Sequence, residues 1–148
     1  MTSKQGYSDL ITRIRNGYMA KLDSITFAHT SRNINLLRIL RNEGLISGWS
    51  ETISDPWLLS NNIKDLRISN FTKGRVLLKY VEGEPAVRTI ETISKQSRRI
   101  FMSVVEMEFF LKKEGFNRLL ILSTNKGLLT HAQAIHQRVG GEVVCAIK

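Results

Sequence analysis

Ser123-Thr124-Asn125-Lys126-Gly127 gathers two hydroxyls, an amide, an ammonium and a glycine in consecutive positions. Such a set can exchange hydrogen bonds with phosphates, sugar 2′-hydroxyls and base edges, with Lys126 as a point charge and Gly127 allowing close backbone approach. The stretch lacks the G-x-x-x-x-G-K-[ST] order that frees successive amides to cradle a nucleotide phosphate, and its composition also suits an ordinary polar turn. Nor is there a G-x-S-x-G elbow or a G-x-G-x-x-G turn. Glu142, after Gly140-Gly141, has no evident second carboxylate for paired acid–base work. His131 and His136 stand five apart on a predicted helix, about 140° around its axis, and cannot share a metal as an i, i+4 pair could. These two and His29 read as structural or surface residues, and Cys145, within an apolar strand, as a small buried hydrophobe. No catalytic site emerges from the residue types and their spacing.

The charge points elsewhere. The 148 residues carry 22 Lys and Arg against 13 Asp and Glu, a formal net charge of +9. An excess of this size favours polyanionic partners, nucleic acid or an anionic membrane surface, although a well-mixed solvated surface has the same sum. Basic residues come in small groups rather than a tail: Arg13 with Arg15, Arg38 with Arg41, Arg98 with Arg99, Lys112 with Lys113. Apolar residues make up 42% of the chain, enough for a core and too many for a disordered chain. One cysteine excludes an internal disulfide and fits a reducing compartment. No run approaches the roughly 18 apolar residues of a membrane-spanning helix, and the polar first residues exclude a secretory signal.

Elements that could hold these groups follow from periodicity. Leu10, Ile11, Ile14 and Tyr18 fall in one arc of about 100° and predict an amphipathic helix from Ser8, read as its N-cap, to Lys21. Its polar arc holds Thr12 and Asn16, flanked by Arg13 and Arg15. Ile25–Ala28 predicts a strand. Ser31 reads as the N-cap of a helix carrying Leu36, Leu37 and Leu40, with Gly44 in its C′ position. A strand is predicted from Leu45, and a hairpin loop or connection over Ser50–Lys73. Strands follow at Val76–Val81, Val87–Ile93 and Arg99–Met102. A helix is predicted over Val104–Lys113, a buried strand at Leu119–Leu122, a loop at Ser123–Leu128, a helix over Thr130–Val139 and a terminal strand at Val143–Ile147. The fold class is α/β (α+β): two small mixed units packed together, 1–73 and 74–148, the second mostly β with short helices.

Several blocks resemble one family in its own order along nearly the whole chain. Asp9-Leu10-Ile11-Thr12-Arg13-Ile14-Arg15-Asn16-Gly17, Asn42-Glu43-Gly44-Leu45-Ile46, Leu78-Lys79-Tyr80 and Ser94-Lys95-Gln96-Ser97-Arg98-Arg99-Ile100-Phe101 come first. Ser123–Thr130 and Gly140-Gly141-Glu142-Val143-Val144-Cys145 complete the set, which is similar to the ribosomal small-subunit protein S-eight family. Departures fall at Gln96-Ser97, where the family usually has Pro-Gly, at Phe101 for Tyr and at Asn125 for Ser. With an Ile- and Asn-rich composition they suggest a mitochondrial member, the alternatives being the bacterial cytoplasm or a plastid. The match from Ser8 makes the first helix part of the fold rather than a presequence.

The resemblance implies a two-domain constituent of the small ribosomal subunit that binds the central domain of small-subunit rRNA and assists its folding. It implies that the rRNA-binding residues are Thr12, Arg13, Arg15, Asn16, Ser31 and Arg32 in the first unit. In the second, now the rRNA-binding domain, they are Arg99, Phe101 as a stacking ring, Ser123, Thr124, Asn125, Lys126, Gly127, Gly141 and Glu142. Thr124 is expected to turn its hydroxyl to solvent and the RNA, with little part in stability. Neighbouring ribosomal proteins, including protein S-five, are implied contacts. No enzymatic activity, cofactor, metal, membrane or small-molecule substrate is implied. The alternatives are a translational repressor that binds an mRNA imitating the rRNA site, or a phosphate-handling enzyme using Lys126 and Glu142.

Overall fold

The apolar arc of the first helix is the buried one: Leu10, Ile11, Ile14 and Tyr18 are all buried, while Thr12, Arg13, Asn16 and Met19 are exposed and Arg15 is half-buried. The computed structural model describes residues 6–52, 73–115 and 117–148. They form α1 (Gly6–Met19), β1 (Ser24–Ala28), α2 (Ser31–Asn42), β2 (Ile46–Thr52), β3 (Lys73–Leu78), β4 (Tyr80–Val81) and β5 (Glu84–Pro85). There follow β6 (Ile90–Thr92), β7 (Phe101–Met102), α3 (Val104–Glu114), β8 (Leu119–Thr124), β9 (Gly127–Thr130), α4 (His131–His136) and β10 (Gly141–Ile147). The mixed α/β class read from the sequence is the one observed.

Two compact units are present, Thr12–Ala86 and Val87–Lys148, the latter with Ile11 and residues before it. The boundary read at 73/74 falls at the first residue of β3, which pairs with both β1 and β2 in an antiparallel sheet of order β1-β3-β2. Hydrogen bonding therefore keeps 73–86 with the first unit. Of the segment read as a loop over Ser50–Lys73, Ser50–Thr52 lies in β2 and Lys73 in β3; 53–72 lie outside the described residues.

In the first unit, side-chain alternation turns Ile25, Phe27, Val76 and Leu78 to a buried face and Thr26, Arg75 and Leu77 outward. Gly17 lets α1 lie close to that sheet, since a Cβ there would sit 2.6 Å from Ile25 Cγ2 and 2.9 Å from Leu78 Cδ1. Beyond it, Tyr18 donates its hydroxyl to Leu45 O (2.6 Å) and accepts from Lys79 N (3.2 Å). Tyr80 donates to Leu22 O (2.7 Å), with its ring edge-on to Tyr18 at 5.7 Å. These contacts tie together the ends of α1, α2 and β3.

In the second unit, β10 is the hub. It pairs antiparallel with β8, with β6 through Cys145–Ile147 and with β7 through Gly141 and Glu142, and β9 completes the sheet beyond β8. Met107 and Leu111 of α3 and Ala134 of α4 pack with Leu120, Leu122, Val143 and Ala146 into one core. A β-bulge at Val144 shifts the β10–β8 register between Val143 and Cys145.

Several boundaries differ from the sequence reading, each for a local reason. The first helix already runs at Gly6, so Ser8 is inside it. Thr30, not Ser31, caps α2, its Oγ1 accepting from Asn33 N at 3.2 Å. Of the strand read over Val87–Ile93, Ile90–Thr92 pairs regularly with β10, while Thr89 exchanges backbone hydrogen bonds with Lys148 and Ile93 N bonds to Val144 O. The loop read at Ser123–Leu128 is a tight hairpin between β8 and β9. Thr130 does cap α4, but the helix stops at His136. There Arg138 takes a left-handed φ of 56°, with Arg138 N bonded to Ile135 O and Val139 N to Ala134 O. That is a Schellman closure with arginine where glycine is usual.

Ile14 is fully buried, and Ile14→Ala is expected to lower stability by about 2–5 kcal/mol in urea unfolding, through lost burial and a cavity. A second outcome follows from Cys145. Burial pushes its thiol up to about 12 from 9.0, and burial also raises Tyr18. The folded state thus keeps a proton that the unfolded chain releases, so this stability is complete below about pH 9 and is lost as pH rises toward about 12. Urea midpoints should fall steadily from about pH 9 upward, with Cys145→Ala flattening the decline.

Candidate nucleic-acid interface

Register across β7, β10 and β8 brings three of the predicted site residues into one row. Glu142 stands opposite Phe101 on one side and Ser123 on the other, and directly opposed residues present side chains to the same face. That face is the one turned away from α3 and α4, because Met102, Val143 and Leu122, the next residues along each strand, pack into the helical core. Further along it Ile121, Cys145 and Ile147 are buried. At this end Phe101 is 65% exposed.

Gly140 and Gly141 make the row possible. A Cβ on Gly141 would overlap Ser123 O and lie 2.9 Å from Thr124 Cγ2. One on Gly140 would lie 2.7 Å from Met102 O and 3.1 Å from Ser103 Cα. β10 therefore starts in the narrow space between the ends of β7 and β8. Gly141 serves the site as a spacer.

Beside the row, Thr124-Asn125-Lys126-Gly127 forms the β8–β9 turn. Asn125 and Lys126 keep negative φ, and the left-handed step falls on Gly127 (φ 103°). This conformation is open to glycine and strained for other residues. Thr124 does not turn a free hydroxyl to solvent as expected from the sequence. Its Oγ1 donates to Gly127 O at 2.8 Å and accepts from Lys126 N at 3.2 Å. The hydroxyl closes the turn, and its use of Lys126 N removes the amide that a phosphate cradle would need. Asn125, Lys126 and Gly127 are left exposed at the tip.

On the other flank, Ser94–Phe101 approaches β10 as a closed loop. Ser94 Oγ donates to Ile100 O (3.2 Å) and accepts from Ile100 N (3.0 Å), while Lys95 and Arg98 exchange two backbone hydrogen bonds around Gln96-Ser97. Val143 N bonds to Ile100 O at 2.9 Å, extending the pairing back from Phe101. Arg99 Nη1 lies 3.8 Å from Glu142 Oε2. Ser94, Lys95 and Arg98 are not among the predicted rRNA-binding residues, although the block containing them resembles the family and Arg98 stands with Arg99 in one of the basic groups.

The first unit holds the remaining predicted residues, described separately. Arg13 Nη1 donates to Thr26 O at 3.4 Å, fixing this side chain along β1. Ser31 and Arg32 are exposed in the first turn of α2, and Ser31 borders an open depression with His29, Asn35 and Arg38. His131 is structural, as read from sequence: its Nδ1 accepts from Leu120 N at 3.1 Å, holding α4 to β8.

The family model for ribosomal protein S8 matches residues 6–147. This chain belongs to the ribosomal protein S8 family. It is similar to the small ribosomal subunit protein uS8 of Rhodospirillum centenum, 35% identical over 141 residues and covering 94% of this chain and 93% of that one. The uS8 of Sphingopyxis alaskensis is 36% identical over 140 residues, with the same coverage of each chain. That of Legionella pneumophila strain Paris is 32% identical over 148 residues, covering 99% of both. The S8 match spans both units, so the Phe101–Glu142–Ser123 row and the face of α1 both lie within the family's own fold.

Thr124→Val keeps the shape of the side chain and removes both turn hydrogen bonds. It is expected to destabilise the protein by about 1 kcal/mol, whereas Thr124→Ser should restore most of the loss. Paired urea titrations of the three proteins measure this directly.

Proposed function

We propose that this protein is a constituent of the small ribosomal subunit that binds the central domain of small-subunit rRNA and helps it fold during assembly. The observation that carries this reading is the row on the open end of the second sheet. An exposed aromatic ring, a carboxylate and a hydroxyl stand side by side, flanked by the Asn125-Lys126-Gly127 tip and the Lys95–Arg99 loop. A ring stacks on an unpaired base or ribose. The carboxylate accepts from base amino groups and 2′-hydroxyls, and the flanking cations meet phosphate. RNA with splayed bases is the ligand that uses all three together. Membership of the S8 family and the net charge of +9 support the same conclusion.

In the first unit, Thr12, Arg13, Arg15 and Asn16, with Ser31 and Arg32, offer a second polar and basic surface for RNA backbone. Protein S-five is proposed as a protein neighbour in the subunit. The departures at Gln96-Ser97, Phe101 and Asn125, with the Ile- and Asn-rich composition, favour a mitochondrial ribosome. Co-sedimentation with the small subunit of fractionated mitochondria supports that placement, and co-sedimentation with cytoplasmic or plastid subunits refutes it.

Binding to a transcribed central-domain fragment should weaken with salt, each phosphate contact contributing about −0.7 to −0.9 to the slope of log K against log salt. Phe101→Ala should weaken binding by about 5- to 150-fold, the equivalent of roughly 1–3 kcal/mol of stacking, and leave that slope unchanged because a ring releases no counterions. A flat salt titration, or a Phe101→Ala protein that binds like the wild type, would refute the assignment of this surface.

A further inference from the structure

Arg98 and Arg99 are adjacent cations on the same loop, yet the structure gives them different surroundings. Arg98 is exposed, and among the described residues its side chain has no partner. Arg99 is turned back along β10, with Nη1 3.8 Å from Glu142 Oε2. The Glu142 side chain is only 24% exposed, against 45% for Arg99. Glu142 is therefore the more enclosed member of the pair, confined between Ser123 and Phe101 by the strand register.

A carboxylate in the middle of a surface that receives RNA presents a physical problem. Its acceptor oxygens are useful to base amino groups and 2′-hydroxyls, but its charge repels the phosphates around them, more strongly where protein and RNA exclude water. A cation against one oxygen removes most of that repulsion and leaves the other oxygen as an acceptor. Arg99 stands against Oε2, and no partner of Oε1 is present among the described residues. A guanidinium 3.8 Å from Oε2 also favours Glu142 rotamers that keep this oxygen beside it and leave the other for the RNA.

We infer that Arg99 is a positioning residue for rRNA recognition: it neutralises and orients Glu142 rather than gripping a phosphate itself, a task left to Arg98 on the same loop. The inference rests on the proposed rRNA-binding reading of this row and assigns roles within it. With Arg99 exposed and its guanidinium 3.8 Å from the carboxylate, the pair adds little to fold stability, so its coupling belongs to the complex.

The test is a double-mutant cycle on the full chain, with a transcribed central-domain fragment of small-subunit rRNA as the probe. Arg99→Ala should weaken binding about tenfold in the wild-type background. It should cost less than about twofold when Glu142 is already Gln, which is neutral and needs no counter-charge. Arg99→Lys should recover part of the loss by restoring charge without the planar fork. Arg98→Ala is the comparator: it should lose the same factor in both backgrounds and reduce the salt slope by about 0.7–0.9. Equal losses for Arg99→Ala in the two backgrounds would place Arg99 on the RNA itself and overturn the inference, as would no loss in either. A wild-type protein that fails to bind the fragment would overturn the rRNA reading first and this role with it. Thermal melts of the same variants should superimpose on the wild type; a large shift for Arg99→Ala would make the pair structural and overturn the inference equally.

Discussion

The entry of β10 between the ends of β7 and β8 is the constraint on which the second unit depends. Two consecutive positions without a Cβ let the strand begin where Ser123 O, Met102 O and Ser103 Cα leave no room for one. From there β10 supplies partners to three strands, and its Val143 and Ala146 are two of the four buried sheet residues in the helical core. A side chain at either glycine would force apart the backbones that carry Phe101, Ser123 and Glu142. The glycines that look like the end of a helix are the ones that assemble the surface.

The bulge at Val144 completes that arrangement. In an unbroken strand Glu142, Val144 and Ala146 would share a face, and Val143, Cys145 and Ile147 the other. The extra residue instead puts Val143 and Ala146 together in the core and leaves Glu142 on the face of Cys145 and Ile147. This lets a strand with five consecutive buried residues after Glu142 begin with a half-buried carboxylate at the open end of that face. Bulges recur beside functional sites because they re-aim one side chain without unravelling a sheet.

Much of this was legible in the sequence, and the exceptions share a cause. The apolar arc of α1, the Leu36–Leu40 stripe of α2 and the Gly44 stop declare themselves because helix periodicity and a left-handed glycine are local signals. The early end of α4 was hidden because Arg138, rather than Gly140, takes the left-handed position, and nothing in its type announces that. The β8–β9 hairpin was hidden for a related reason: polar residues that suit a loop also suit a two-residue turn, and Leu128-Leu129 is too short a run to separate them. The bulge at Val144 and the inward hydroxyl of Thr124 are set by cross-strand register and by one turn geometry, which no spacing along the chain displays. The site residues were legible largely through family resemblance, and their division of labour was not. Phe101, Glu142 and Ser123 are 41 residues or fewer apart in sequence but adjacent only through pairing with β10.

The two faces of the second sheet are unequal: one carries α3 and α4 over the core, and the other opens at the row. Val105 and Phe109 on the outer side of α3 are exposed apolar residues that could also attract a ligand, so they provide the natural control. The most direct test is therefore an NMR titration of isotope-labelled protein with the central-domain rRNA fragment. The largest shifts are expected at Phe101, Ser123–Gly127 and Glu142, with Val105 and Phe109 nearly still. Shifts concentrated on Val105 and Phe109, with the row unmoved, would contradict the account.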